Sequence, residues 1–176
     1  LLEQNDWANQ TNVLANKATP PEISLAYQLY SKLTGLCQVA GNQHLLFYCV
    51  YKGMRTVLEN GQNEHAIMIY VMYSMTLTKQ GNYLSANEMA NSTLELLDRH
   101  PQYPDSPYVY MILGTFVWHY NHPIKEAIDL QLKAHEIGYE YGDILLGVFA
   151  SYSNSIVNHY AQGLPLNLLS RHLVNL

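Results

Sequence analysis

The sequence predicts an all-α fold of stacked antiparallel helix pairs, and three observations carry that prediction. Turns recur at a fixed interval, with Gly41-Asn42, Gly81-Asn82, His122-Pro123 and Gly163 standing 40 or 41 residues apart. Between the turns, apolar residues repeat at helical spacing. Strand-like alternation between turn pairs is essentially missing. A period near 40 residues with a central turn is the mark of helix pairs that bury their faces against one another.

The elements follow in order. Thr19-Pro20-Pro21-Glu22 fits a capping box, with Thr19 as N-cap, proline at the first helical position and Glu22 reaching back. Ile23, Tyr27, Tyr30, Leu33 and Cys37 then hold a helical stripe until Gly41. A second helix is expected from about Gln43 to Asn60, stopped by Gly61. A third carries Ala66, Ile67, Tyr70, Val71, Ser74 and Met75 towards Gly81. A fourth carries Leu84, Ala86, Ala90, Leu94 and Leu97 to the break at Pro101. PQYPDSP, residues 101–107, is the longest polar interruption. Beyond it Ser106 is read as the cap of a fifth helix running to Asn121, with Pro107 in its first turn. The sixth spans Pro123 to about Tyr141, with Ala127, Leu130, Ala134 and Ile137 on one stripe. Asp143 is placed to cap the seventh, Ile144 to Gln162, and an eighth follows Gly163. Residues 1–18 are read as an N-terminal helical segment or linker, and 19–176 as the repeat domain of four pairs.

Small residues open the second helix of a pair, Ala86 and Ala90 in one and Ala127 and Ala134 in the next, and let two axes approach. The seven-residue alanine spacing and the turn Gly81-Asn82-Tyr83 resemble a tetratricopeptide repeat, although the period exceeds the 34 residues of that motif. The expected arrangement is therefore TPR-like, a right-handed α-α superhelix. Its glycines read as helix ends, where a left-handed backbone is tolerated without a Cβ. A phosphate loop needs a glycine cluster between strand and helix, with a lysine after it. TKQGNYLS has one glycine, no strand, and Lys79 on the wrong side.

Composition narrows the partners. Only 13% of residues are charged and 15 are tyrosines, against a usual charged share of about 25%. Such a chain is expected to cover part of its surface with a neighbouring domain or with a second copy of itself, as a homodimer. A net charge of −5 without any basic run argues against nucleic acid. No apolar stretch reaches the ~18 residues of a membrane span, and no signal peptide opens the chain. The two cysteines, Cys37 and Cys49, are no disulfide framework, so the expected compartment is the cytoplasm. They are read as small buried hydrophobes. A start at Leu1 and an end inside the apolar LNLLSRHLVNL suggest a piece of a longer protein.

No motif for catalysis emerges. His119 and His122 are three apart, yet a zinc site needs at least a third ligand and none is suitably spaced. His65, His135 and His159 are scattered. Glu140 and Asp143 flank a turn, where Asp143 is more simply a cap. Trp118 falls on the apolar stripe of its helix. Tyr70, Tyr73, Tyr108, Tyr110, Tyr139, Tyr141, Tyr152 and Tyr160 lie on or beside the stripes, either as packing between pairs or as contact residues. Catalytic, cofactor and metal residues are accordingly expected to be absent.

Pro21-Glu22-Ile23, Gly61-Gln62-Asn63, Gly81-Asn82-Tyr83, Trp118-His119 with Pro123, Gly138-Tyr139-Glu140-Tyr141-Gly142-Asp143 and Gly163-Leu164 occur in this order. Together they resemble the helical repeat region of large bacterial signalling proteins that carry a predicted ATPase module and often a sensor histidine kinase. The resemblance covers most of the chain from about Thr19. Asn82 and Asn63 stand where that family commonly has aspartate and serine, all capping-competent. It implies a non-catalytic regulatory module whose partners are the neighbouring ATPase and kinase domains, or other proteins, and supplies no catalytic residue. The alternative is a freestanding peptide-binding module of TPR type, for which only Lys79 and a few asparagines would serve as a carboxylate clamp. By the same analogy the first helix of each pair lines a concave face. That places Thr78, His119 and Tyr160, beside Met75, Phe116 and Val157, on the expected partner surface.

Overall fold

The computed structural model describes residues 19–152 and 159–174. The helices are α1 (Pro21–Val39), α2 (Gln43–Asn60), α3 (Ala66–Lys79), α4 (Tyr83–Arg99), α5 (Ser106–Phe116), α6 (Ile124–Glu140), α7 (Ile144–Tyr152), α8 (His159–Ala161) and α9 (Leu166–Val174). A 3-10 turn, Trp118–Tyr120, lies between α5 and α6. Well over half the chain is helical, and no strand occurs among the described residues. The expected lead-in, residues 1–18, lies outside them, as do residues 153–158 of the expected seventh helix.

The helices gather into two compact units, and the chain passes from one to the other at the polar break after α4. One ends at Pro101 and holds α1–α4; the other begins at Gln102 and holds α5–α9. In the first unit α1 packs on α2, α2 on α3, and α3 on α4. Helix α3 is buried from Ala66 to Thr78, as expected of a helix apolar on all sides. Its serine and threonine hydroxyls at 74, 76 and 78 are satisfied within the helix. Ser74 donates to the Val71 carbonyl at 2.7 Å, Thr76 to Met72 at 2.9 Å and Thr78 to Ser74 at 3.1 Å. Ala86 and Ala90 of α4 are fully buried, as their spacing predicts.

The repeated Gly-Asn pair proves to be two devices in two residues. The Gly81 N–H donates to the Thr78 carbonyl and the Asn82 N–H to Leu77, the double closure that ends a helix at a left-handed glycine. Gly81 has φ of 79°. Asn82 then begins α4, its side chain accepting from the Ser85 N–H. Gly41-Asn42 repeats both steps, with closure on Gln38 and Cys37 and a cap on Leu45. Closure of the same kind recurs in the second unit at Gly142-Asp143 and Gly163-Leu164.

Three boundaries differ from expectation. Thr19 does not cap α1: Pro20 precedes the helix with φ −58° and ψ 148°, and no side chain caps it. A residue before proline is pushed out of the helical region, so Pro20 cannot be helical ahead of Pro21. The helix starts one position late for the capping box. The Thr19 hydroxyl is buried with no hydrogen-bond partner among the described residues. Ser106, expected as a cap, is instead the first residue of α5, and Asp105 precedes it. That helix stops at Phe116 rather than Asn121. Trp118 turns inwards there, its indole Nε1 donating to Glu126 Oε2 at 3.1 Å. This side-chain anchor on the next helix replaces the last helical turn.

In the second unit α5 packs on α6 and α6 on α7. Ala127 and Ala134 are fully buried, as is Gln131, whose amide donates to Thr115 Oγ1 at 3.1 Å. Gly114 admits them. A Cβ at that position would lie 2.7 Å from the Ala127 carbonyl and 2.8 Å from Gln131 Cγ.

Candidate interaction surface

The residues that gave the sequence its recognisable order are mostly occupied inside the fold. Tyr27 of α1 is fully buried, and its hydroxyl donates to the Gly61 carbonyl at 2.7 Å. Tyr70 of α3 donates to Gln62 Oε1 at 2.7 Å. Asn63 donates to Ser24 Oγ at 3.1 Å and accepts from the His65 N–H. Gly61-Gln62-Asn63 is therefore a clamp that ties the α2–α3 connection to α1 and α3. Burial pushes the Tyr27 hydroxyl up to about 12. It raises Tyr70 as well, with Tyr27 as the lesser cause.

At the 3-10 turn, His122 stacks on Trp118 with ring centres 4.1 Å apart and planes 11° from parallel. Its Nδ1 lies 3.3 Å from Glu126 Oε2, the oxygen that accepts from Trp118. His119 instead meets Tyr120, with ring centres 4.3 Å apart, and burial lowers its pKa. The two imidazoles thus serve different neighbours. Among the described residues no group of three or more His, Cys, Asp or Glu is arranged to hold a metal ion. Cys37 and Cys49 are buried free thiols. Burial raises the Cys49 thiol, with Cys37 beside it as a further cause. No helix among the described residues is long and apolar enough to cross a membrane.

The expected partner strip is divided. Met75 and Thr78 are buried in α3, Thr78 with its hydroxyl turned back to its own helix, so neither offers a contact surface. Phe116 and Tyr160 are exposed and His119 is half-buried. Val157 lies outside the described residues. The tyrosines divide in the same way. Tyr70, Tyr73 and Tyr110 are buried and Tyr108 is half-buried, while Tyr139, Tyr141 and Tyr160 are exposed. The side chain of Tyr152 lies outside the described part.

Two exposed apolar helix faces among the described residues were not read from the sequence. Helix α1 exposes Leu25, Leu29, Leu33, Leu36 and Val39, and α7 exposes Ile144, Leu145, Val148 and Phe149. Both sets follow helical spacing. In α1 the signal was a second apolar stripe on the side of the helix away from Tyr27 and Cys37, and Leu33, expected on their stripe, belongs to this exposed one instead. Against protein-family models, curated proteins and solved structures, the chain gives no match.

Proposed function

We propose that this chain is a non-catalytic, TPR-like interaction module, part of a cytoplasmic multidomain signalling ATPase or sensor kinase, coupling the domains on either side. The observation that carries the reading is the pair of uncovered apolar helix faces, on α1 and on α7. Repeat stacks shield their ends with polar outer faces, so an apolar outer helix face calls for a further packed element. The ordered motifs named above support the signalling context, since their residues build turns and clamps and leave the outer faces for contacts.

The test is made in the full-length protein. Leu145→Glu with Val148→Glu alters the exposed apolar face of α7 and should change ATPase or kinase output while the helical signal stays intact. Unaltered output from a correctly folded variant counts against a role for this surface. An open reading frame without an ATPase or kinase module removes the signalling context altogether.

A further inference from the structure

We propose that Cys37 and Cys49 form a redox-sensitive staple, a reversible disulfide that locks α1 onto α2 under oxidising conditions. This goes beyond the signalling role and does not depend on it. The chain has two cysteines in 176 residues, and the fold brings both to one place. Cys37 stands two residues from the end of α1, and Cys49 lies in the second turn of α2. Their side chains are in hydrogen-bond contact where α1 packs on α2, and they are 4% and 2% exposed. The backbone between them is pinned. The Cys37 carbonyl accepts from the Asn42 N–H at 3.0 Å, and the Asn42 side chain caps α2 through the Leu45 N–H. A short, closed turn therefore sets the two thiols together.

A buried free cysteine packs as a small hydrophobe, but two in contact have a chemistry that neither has alone. The step is a two-electron oxidation, and its oxidant is a peroxide. One thiolate attacks a peroxide oxygen and the O–O bond breaks. Hydroxide leaves and takes up the thiol's proton as water, and a sulfenic acid remains on that cysteine. The second sulfur then attacks the sulfenic sulfur. The S–S bond forms, the S–O bond breaks, and the oxygen departs as water with the second thiol's proton. Two thiols and one hydrogen peroxide thus give one disulfide and two waters. With so little sulfur exposed, a small peroxide reaches the pair where a protein oxidant does not. Burial raises the Cys49 thiol, which makes the thiolate scarce and closure slow. A dithiol reductant reopens the bond by exchange.

Mass spectrometry of the whole chain, treated with hydrogen peroxide, alkylated in denaturant and digested with trypsin, is the test. Cleavage after Lys32 and Lys52 leaves both cysteines on one methionine-free peptide, Leu33 to Lys52, so methionine oxidation elsewhere does not blur the reading. Before peroxide that peptide should carry two alkyl groups. Afterwards it should carry none and lack two hydrogens, and dithiothreitol should restore both alkylation sites. The oxidised protein should keep its far-UV circular dichroism and melt about 5–10 °C higher, because the closed loop constrains the unfolded chain. Cys37→Ala and Cys49→Ala, tested singly, should show neither the hydrogen loss nor the rise in Tm; if either fails to fold, the wild-type peptide decides by itself. The proposal is overturned by a peptide that keeps both alkylation sites, by one that gains oxygen instead of losing hydrogen, or by two such peptides joined between chains. It is equally overturned by a disulfide that lowers Tm or the helical signal, since the pair would then close only by distorting the fold.

Discussion

Gly114→Ala and Gly35→Ala are chemically the same substitution inside two helices, and the structure gives them opposite signs. Helix propensity alone favours alanine over glycine by about 0.5–1 kcal/mol. At Gly35 a new Cβ meets nothing within 4 Å. That variant should therefore gain close to the full propensity term, raising Tm by about 1–4 °C for a chain of this size. At Gly114 the Cβ would stand 2.7 Å from the Ala127 carbonyl, 2.8 Å from Gln131 Cγ and 3.3 Å from Leu130 Cβ. The nearest obstacle is backbone, so α6 itself must retreat from α5. Overpacking of this kind costs about 1–3 kcal/mol. Close backbone contact puts Gly114 near the top of that range, and propensity offsets only part. The net loss should be about 1–2 kcal/mol, a fall in Tm of about 2–8 °C. Thermal melts followed by circular dichroism, run on both variants with the wild type, decide it. If the two variants shift in the same direction, or Gly114→Ala melts higher than the wild type, the close approach of α5 and α6 is wrong.

Further outcomes follow from other contacts. Ala90→Leu and Ala127→Leu, both at fully buried positions, should each lose about 1–3 kcal/mol in chemical denaturation; unchanged midpoints in both would misplace the helix-pair contacts. Tyr70→Phe removes the donor to buried Gln62 and should lose about 1–3 kcal/mol, whereas Tyr160→Phe, at an exposed ring, should change nothing measurable. Tyr27 and Tyr70 both have raised folded-state values, so their neutral hydroxyls contribute stability that is fully present below the unfolded value of about 10. That contribution is lost as pH rises from there through about 12, where Tyr27 ionises. Titration to alkaline pH should show unfolding in this window, with a shallower pH dependence in Tyr27→Phe; an identical profile in that variant would contradict the buried hydroxyl.

The legible parts of this fold are those fixed by short-range chemistry. Gly41-Asn42 and Gly81-Asn82 announce both a helix end and the next helix start, because the left-handed glycine and the capping asparagine act within a few residues. Alanine spacing located the buried crossings at Ala86, Ala90, Ala127 and Ala134 for a similar reason, since helix periodicity alone sets which side they share. What stayed hidden depends on partners distant in sequence. Trp118 leaves the helix only because Glu126 waits on α6 to accept its N–H. Gly114 reads as a helix weakness until Gln131 is seen to fill its space. Thr78 looks like a surface residue by type, yet α3 is enclosed on all sides and returns the hydroxyl to its own backbone. The outer stripe of α1 was present in the spelling, but apolar residues on two sides of one helix do not say which side is covered.

The two-residue junctions also govern where this chain can change its length. Each residue turns an α-helix by about 100°. One residue inserted between Gly81 and Asn82 would part the helix-closing hydrogen bonds from the cap that starts α4. The junction would have to be rebuilt, or α4 would present a different side to α3 in place of Ala86 and Ala90. No slack exists there to absorb the error. The stretch from Pro101 to Asp105 joins two compact units and belongs to no α-helix, so extra residues there leave the helices within each unit in register with one another. Insertions and deletions among descendants of this sequence should therefore collect after Arg99 and spare positions 41–42 and 81–82.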